Sequence, residues 1–207
     1  MKLLCVSDTV MQPLENAANL RRRYHDVDAI VSCGDMPAAY LDFISTILGK
    51  PMLYVRGNHD EMYDDTPPGG TDLHNQIIEF GHLSIVGIEG SIKYNRGVIQ
   101  FTQLEMHTLV IKLAVRLKYW QMVHGRGIDL LVTHSPAKGI HEGDDYPHQG
   151  FEAFLRLIQW FKPRYMIHGH VHTWDRRKTV HTEYLGTQIL NINPYMVLDI
   201  EPLEPKE

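Results

Sequence analysis

Five short polar clusters in this sequence carry side chains of the kinds that hold divalent metals: Ser7-Asp8, Gly34-Asp35, Gly57-Asn58-His59-Asp60, Thr133-His134 and Gly169-His170-Val171-His172. Asp and Asn offer hard oxygen, and His offers borderline nitrogen. Each cluster sits just after an apolar run, at residues 3–6, 30–33, 53–55, 130–132 and 165–167. Taken singly, an aspartate in such a place is a helix cap or turn residue, and a histidine is a satisfied core or surface group. Five clusters in one placement are not explained by five separate caps. Glycines beside the candidate ligands let the backbone turn sharply and approach a phosphate.

For these residues to meet, the apolar runs must lie side by side with their C-terminal ends on one edge. That edge is where open α/β sheets bind ligands. The first third of the chain predicts this arrangement. Strands at 2–7, 29–33 and 51–55 alternate with helices at 14–24 and 38–48, the pattern of a parallel sheet with crossover helices. The strands are continuously apolar, as strands buried on both faces should be. Residues 64–75, with Pro67-Pro68-Gly69-Gly70, read as a loop. Residues 76–80 and 83–87 read as a hairpin around Gly81-His82.

The clearest helix starts at Thr102, where Glu105 completes a capping box, and stops at Gly125. Met106, Val110, Leu113, Leu117 and Trp120 give it one apolar stripe, either a core face or a seam for a homodimer. A strand at 128–133 follows, then a helix marked by Phe151, Phe154, Leu155 and Ile158 that stops before Pro163. A strand at 164–168 comes next. The tail reads as a strand meander at 179–184, 187–192 and 196–200, turned at Gly186 and Pro194. With no repeat, low-complexity segment or linker, residues 1–207 form one expected domain.

The bulk composition narrows the function classes. Of 207 residues, 43% are hydrophobic and 22% charged, which suits a globular core. Net charge is -5 and no Lys/Arg stripe stands out, so stable nucleic-acid binding is not expected. Cys5 and Cys33 lie in apolar runs and read as free thiols in a reducing compartment. The start, MKLLCVSD, reaches a charge too soon for a signal peptide. No apolar run approaches the roughly 18 residues that span a membrane. The expected location is cytoplasmic.

In order, Gly34-Asp35, Gly57-Asn58-His59-Asp60, Thr133-His134 and Gly169-His170-Val171-His172 resemble the signature of calcineurin-like metallophosphoesterases, over nearly the whole chain. The resemblance implies an α/β fold, a four-layer αββα sandwich of two mixed β-sheets flanked by helices. It implies metal-dependent hydrolysis of a small phosphoester, diesters before monoesters, by a metal-activated water at a two-metal centre. Asp35 resembles the bridging carboxylate. Asp8 and His172 resemble ligands of one ion, and Asn58, His134 and His170 ligands of the other. His59 resembles the acid that protonates the leaving group, with Asp60 orienting it. Arg56 resembles a phosphate-contacting arginine, or is a salt-bridged surface residue. The implied cofactors are two divalent ions among Mn²⁺, Fe²⁺, Ni²⁺, Co²⁺ and Zn²⁺. Two ions about 3.5–4 Å apart clamp a phosphoryl group and offset charge on the leaving oxygen.

One position departs from the family. Its first motif is Asp-x-His, and here it is Asp8-Thr9-Val10. Valine cannot bind metal, so the first site is short by one ligand. A small bacterial single-domain branch with a Ser-Asp-x-Val start and a Gly-Ile-His loop is similar here. Three outcomes stay open: a weak first ion, a substitute side chain, or work with one ion or none. His141 and His148, in the loop after His134, are candidate substitutes or phosphate contacts, or members of an exposed polar loop. The rival to an enzyme is a binding or scaffold protein on the same fold, as a retromer subunit is. A DNA nuclease is a third reading, disfavoured by the missing basic groove.

Overall fold

The computed structural model describes residues 1–172 and 179–201. Strands β1 (Lys2–Val6), β2 (Ala29–Ser32), β3 (Met52–Tyr54) and β4 (Thr71–Asp72) run parallel in one sheet. Helices α1 (Ala17–Arg23) and α2 (Ala38–Leu48) make its crossovers. The second sheet holds β5 (Ile77–Phe80), β6 (Leu83–Ile88), β9 (Leu130–Thr133), β10 (Tyr165–His168), β11 (His181–Tyr184) and β12 (Thr187–Asn191). Between β6 and β9 lie the two-stranded ribbon β7 (Ser91–Ile92) and β8 (Gln100–Phe101), then α3 (Gln103–His124). Helix α4 (Glu152–Phe161) links β9 to β10. The last strand, β13 (Tyr195–Asp199), leaves the second sheet and pairs antiparallel with β1.

The layers follow from the two-residue alternation of strand side chains. Leu3, Cys5, Val31, Leu53 and Val55 face Ile85, Leu130, Val132 and Ile167 in one cluster between the sheets. Their neighbours Leu4, Val6, Ile30, Met52 and Tyr54 point the other way and pack on Leu20, Leu41 and Ile44 of α1 and α2. On the outer face of the second sheet, Val86, Leu131, Met166 and Ile189 pack on α3 and α4. The result is the helix–sheet–sheet–helix order and the two mixed sheets expected of the family.

Local signals in the sequence are mostly met. Thr102 accepts from the Glu105 amide, and the Glu105 carboxylate accepts from the Thr102 amide. Gly125 ends the helix in a left-handed conformation. Met106, Val110, Leu113 and Leu117 are buried in the second sheet's outer core, so this stripe is core and not a seam. The opposite face of α3 exposes Leu104, Ile111, Val115, Tyr119 and Met122. Cys5 and Cys33 are buried free thiols, and burial pushes Cys5 up to about 12. Among the described residues, no helix is long and apolar enough to cross a membrane.

Three expectations need correction. The predicted helix at 14–24 is a short 3-10 turn, Gln12–Leu14, followed by α1, which Asn16 caps by accepting from the Asn19 amide. The predicted loop at 64–75 contains β4, a two-residue edge strand on β3. The tail is no meander. Strands β11 and β12 form a hairpin, but β13 crosses to the other sheet, where the β1 backbone would otherwise be an open edge. Replacing the α3 cap, Thr102→Ala, should cost about 1 kcal/mol in urea unfolding.

Candidate metal centre

The C-terminal ends of β1, β2, β3, β9 and β10 bring the polar clusters to one cavity. Asp8, Asp35, Asn58, His59, His170 and His172 all line it, and its volume is about 460 Å³. His134 lies fully buried at its floor, between Asn58 and Asp35. Ligand atoms of Asp35, His134 and His170 lie within 4.8 Å of one another. His134 Nε2 is 3.1 Å from Asn58 Oδ1 and 3.5 Å from Asp35 Oδ2. Two oxygens thus converge on one imidazole nitrogen, with a second imidazole beside them, as a divalent transition ion requires. The residues fit the group.

Backbone carbonyls set which nitrogen of each histidine faces inward. His134 Nδ1 donates to the Cys33 carbonyl at 2.8 Å, which leaves Nε2 for the site. His170 Nε2 donates to the Pro147 carbonyl at 2.8 Å, which leaves Nδ1. This is the outer bonding that fixes ring orientation in metal sites. Asp8 accepts from the His170 amide with both oxygens, at 3.0 and 2.9 Å. Asp35 Oδ1 accepts from the His59 amide at 2.9 Å. Asp8, Asp35 and His170 all take left-handed backbone, with φ of 60°, 55° and 66°. That conformation costs a non-glycine residue about 1–2 kcal/mol. Strain of this kind gathers at functional sites.

Charge within the site is unequal. Burial raises the Asp35 pKa, but the His134 charge and three hydrogen-bond and charge contacts with His134 and His59 outweigh it and hold the carboxylate ionised. Burial lowers His134, but Asp35 outweighs it and lifts the imidazole to about 9. Burial, with the His134 charge added, lowers His170 to about 3. Asp8 is raised by burial. Without metal, the pair is therefore Asp35 carboxylate with His134 imidazolium, and an ion would take the place of that proton.

Several predicted roles change. Asp60 does not orient His59. Its Oδ2 accepts from the Asp35 amide at 2.7 Å and the Gly57 amide at 2.8 Å, tying the loops after β2 and β3 together. Arg56 is the salt-bridged alternative and does not line the cavity. It bonds Glu89 at 2.7 Å and Asp64 at 2.7 Å, which raise its pKa and leave no fork for a phosphate. His141 is no substitute ligand. Its nitrogens meet His168 Nε2 at 3.1 Å and Thr182 Oγ1 at 2.9 Å, behind the site. His148 is different: it lines the cavity, tilted against the His170 ring at 4.8 Å, with Nδ1 held by Asp145. Val10 is 39% exposed and off the cavity wall, so nothing there restores the missing histidine.

Two participants escaped the sequence. Tyr94 accepts from Asn58 Nδ2 at 3.1 Å and lines the cavity, so it steers the amide oxygen toward His134. Pro147 acts through its carbonyl, which no side-chain motif reports. The one available signal was position: both sit in loops at the ligand-binding edge.

Close approach dictates two glycines. A Cβ on Gly57 would stand 2.0 Å from Asp35 Oδ1, and one on Gly169 would stand 2.5 Å from Asp8 Oδ2. Gly57→Ala should therefore weaken Mn²⁺ binding on the order of 10–100-fold in a metal titration, the effect of disturbing a ligand's support. His141 carries the pH prediction. Burial, then the His181 charge, lowers it to about 4. Its folded pKa lies below the unfolded value, so its stabilisation is present above about 6.5 and lost as pH falls toward 4. Thermal melts of the metal-free protein across that window should show a steeper acid loss for wild type than for His141→Asn.

A family model for calcineurin-like phosphoesterases matches residues 1–174. Among curated proteins, none matches. One solved crystal structure covers 99% of this chain and 99% of its own, at 15% identity and a TM-score of 0.68, which supports the fold. A Vps29 single mutant from Entamoeba histolytica is 16% identical over 92% of this chain and 73% of its own, with a TM-score of 0.45. A Streptococcus pneumoniae protein described as a predicted phosphoesterase is 17% identical over 92% and 71%, with a TM-score of 0.35. With five-sixths of its length matched and the ordered Asp, Asn and His clusters gathered at one sheet edge, the chain belongs to the calcineurin-like phosphoesterase family.

Proposed function

We propose that this chain hydrolyses phosphoesters, diesters before monoesters, at a centre that takes two divalent ions. The observation that carries the proposal is the convergence of Asp35, His134 and His170 ligand atoms within 4.8 Å, at an open cavity that His59 also lines. Asp35 would be shared, with Asn58, His134 and His170 on one ion and Asp8 and His172 on the other. Bound there, the ions supply Lewis acidity toward phosphoryl oxygen and lower the pKa of a coordinated water.

The chain's own groups do the rest. The His59 amide is clamped to Asp35, so the ring stands in a set relation to the shared carboxylate. From there its imidazole donates a proton to the departing alkoxide, help typically worth about 10²–10⁴ in rate. Tyr94 and the Cys33 and Pro147 carbonyls hold Asn58, His134 and His170 in orientation. The preference for diesters rests on space. Beyond Asn58, His59 and Tyr94 the site continues into a second cavity of about 630 Å³, room for a second group on phosphorus.

A non-catalytic scaffold on the same fold is the second reading, and Val10 is the observation that favours it. Metal stoichiometry separates the two: two tightly held ions support the enzyme, none supports the scaffold. Turnover of bis(p-nitrophenyl) phosphate with Mn²⁺, Ni²⁺ or Co²⁺ is the direct test. Asp35→Asn should abolish it, and His59→Ala should lower kcat about 10²–10⁴-fold. A folded protein that turns over nothing with any of the three metals refutes the proposal.

A further inference from the structure

We propose that the loop joining β7 to β8 is a subsite for the leaving-group side of the substrate, built for a group that carries both an aromatic ring and a second anion, as a nucleotide does. The inference rests on the phosphoesterase reading above and extends it to a substrate class.

The second cavity supplies the geometry. Asn58, His59 and Tyr94 line both cavities, while Glu61, Arg96 and Gln100 line the second alone. His59 stands on the shared wall. The leaving oxygen must come within reach of the group that protonates it. The leaving group therefore departs past His59 and into the second cavity.

The loop is shaped before any ligand arrives. Gln100 is buried, and its Oε1 accepts from the Tyr94 amide at 3.1 Å and the Asn95 amide at 3.2 Å. Asn95 Oδ1 accepts from the Gly97 amide at 2.8 Å, and Glu61 Oε1 from the Val98 amide at 3.3 Å. A pre-set loop spends little ordering entropy on binding. Glu61 is the one acid on this wall among the described residues, and its bonded oxygen faces the loop backbone.

Two side chains of that loop have recognition chemistry. Tyr94 is pinned by its hydroxyl to Asn58, yet 37% of it is exposed, so its ring is open to stacking by an aromatic group. Arg96 is exposed, and among the described residues it makes no ion pair, whereas Arg56 and Arg126 are held by carboxylates. A guanidinium offers a planar fork that suits phosphate or carboxylate. Ring and anion sites two residues apart on one short loop read out one molecule, not two.

The test uses the metal-free full chain and adenosine 5′-monophosphate in calorimetric titration, with adenosine as the ring without its anion. Wild type should bind the monophosphate, and adenosine roughly tenfold or more weakly. Arg96→Ala should weaken the monophosphate about tenfold and adenosine much less. Tyr94→Leu should weaken both about tenfold, and Tyr94→Phe less than Tyr94→Leu, as stacking worth about that much requires. Turnover adds a second arm: in Mn²⁺-loaded protein, Arg96→Ala should lower kcat/KM on a 5′-phosphorylated dinucleotide about tenfold more than on bis(p-nitrophenyl) phosphate. No monophosphate binding at millimolar concentration, or binding indifferent to both substitutions, overturns the subsite even when bis(p-nitrophenyl) phosphate is hydrolysed. Binding that obeys the substitutions without any turnover keeps the subsite and sinks the phosphoesterase reading instead.

Discussion

The two sheets of this protein are bonded to each other at one edge, through the groups that would hold metal. The Asp8 carboxylate, after β1, accepts from the His170 amide after β10. The His134 imidazole, after β9, donates to the Cys33 carbonyl after β2. These are contacts between opposite layers, made where the hydrophobic filling of Leu3, Val31, Leu130 and Ile167 runs out. A buried donor or acceptor left unpaired there would cost about 1–3 kcal/mol. Sheet packing and ligand placement are therefore one constraint. The left-handed backbone at Asp8, Asp35 and His170 is tolerated because both ends of each bond are fixed by strands.

The same edge concentrates charge in a dry place. A carboxylate and an imidazole at 3.5 Å hold each other ionised against burial, while a second imidazole 4.7 Å away is driven neutral. Such an arrangement of opposed titration is common in reactive sites. It also suits an ion, which would meet one carboxylate, one amide oxygen and two imidazole nitrogens already turned inward.

Much of this was legible in the chain. Continuous apolar runs ending in Asp, Asn or His placed each ligand at a strand end, because a parallel sheet buries its strands on both faces and leaves function to their termini. The α3 cap and stop were visible as Thr102, Glu105 and Gly125. What stayed hidden depended on tertiary pairing. Nothing local in residues 196–200 tells a strand to leave its hairpin and cover the edge of β1. The Asp60 side chain looked like a partner for its neighbour His59, yet two backbone amides from different loops claimed it. His141 and His148 sat seven residues apart with equal claims, and only the 3-10 turn at Tyr146–His148 turned one of them toward the site. Tyr94 lies in a loop between two-residue strands, with no periodicity to point it anywhere.

The proposed chemistry requires above all that Asp35, Asn58, His134 and His170 hold a divalent ion. Anomalous diffraction at the manganese edge, from crystals grown with Mn²⁺, tests it directly. The expected result is a strong peak in contact with all four side chains, with a second peak beside Asp8 and His172 sharing Asp35. Crystals that bind Mn²⁺ elsewhere, or show no peak among those four residues, would contradict it.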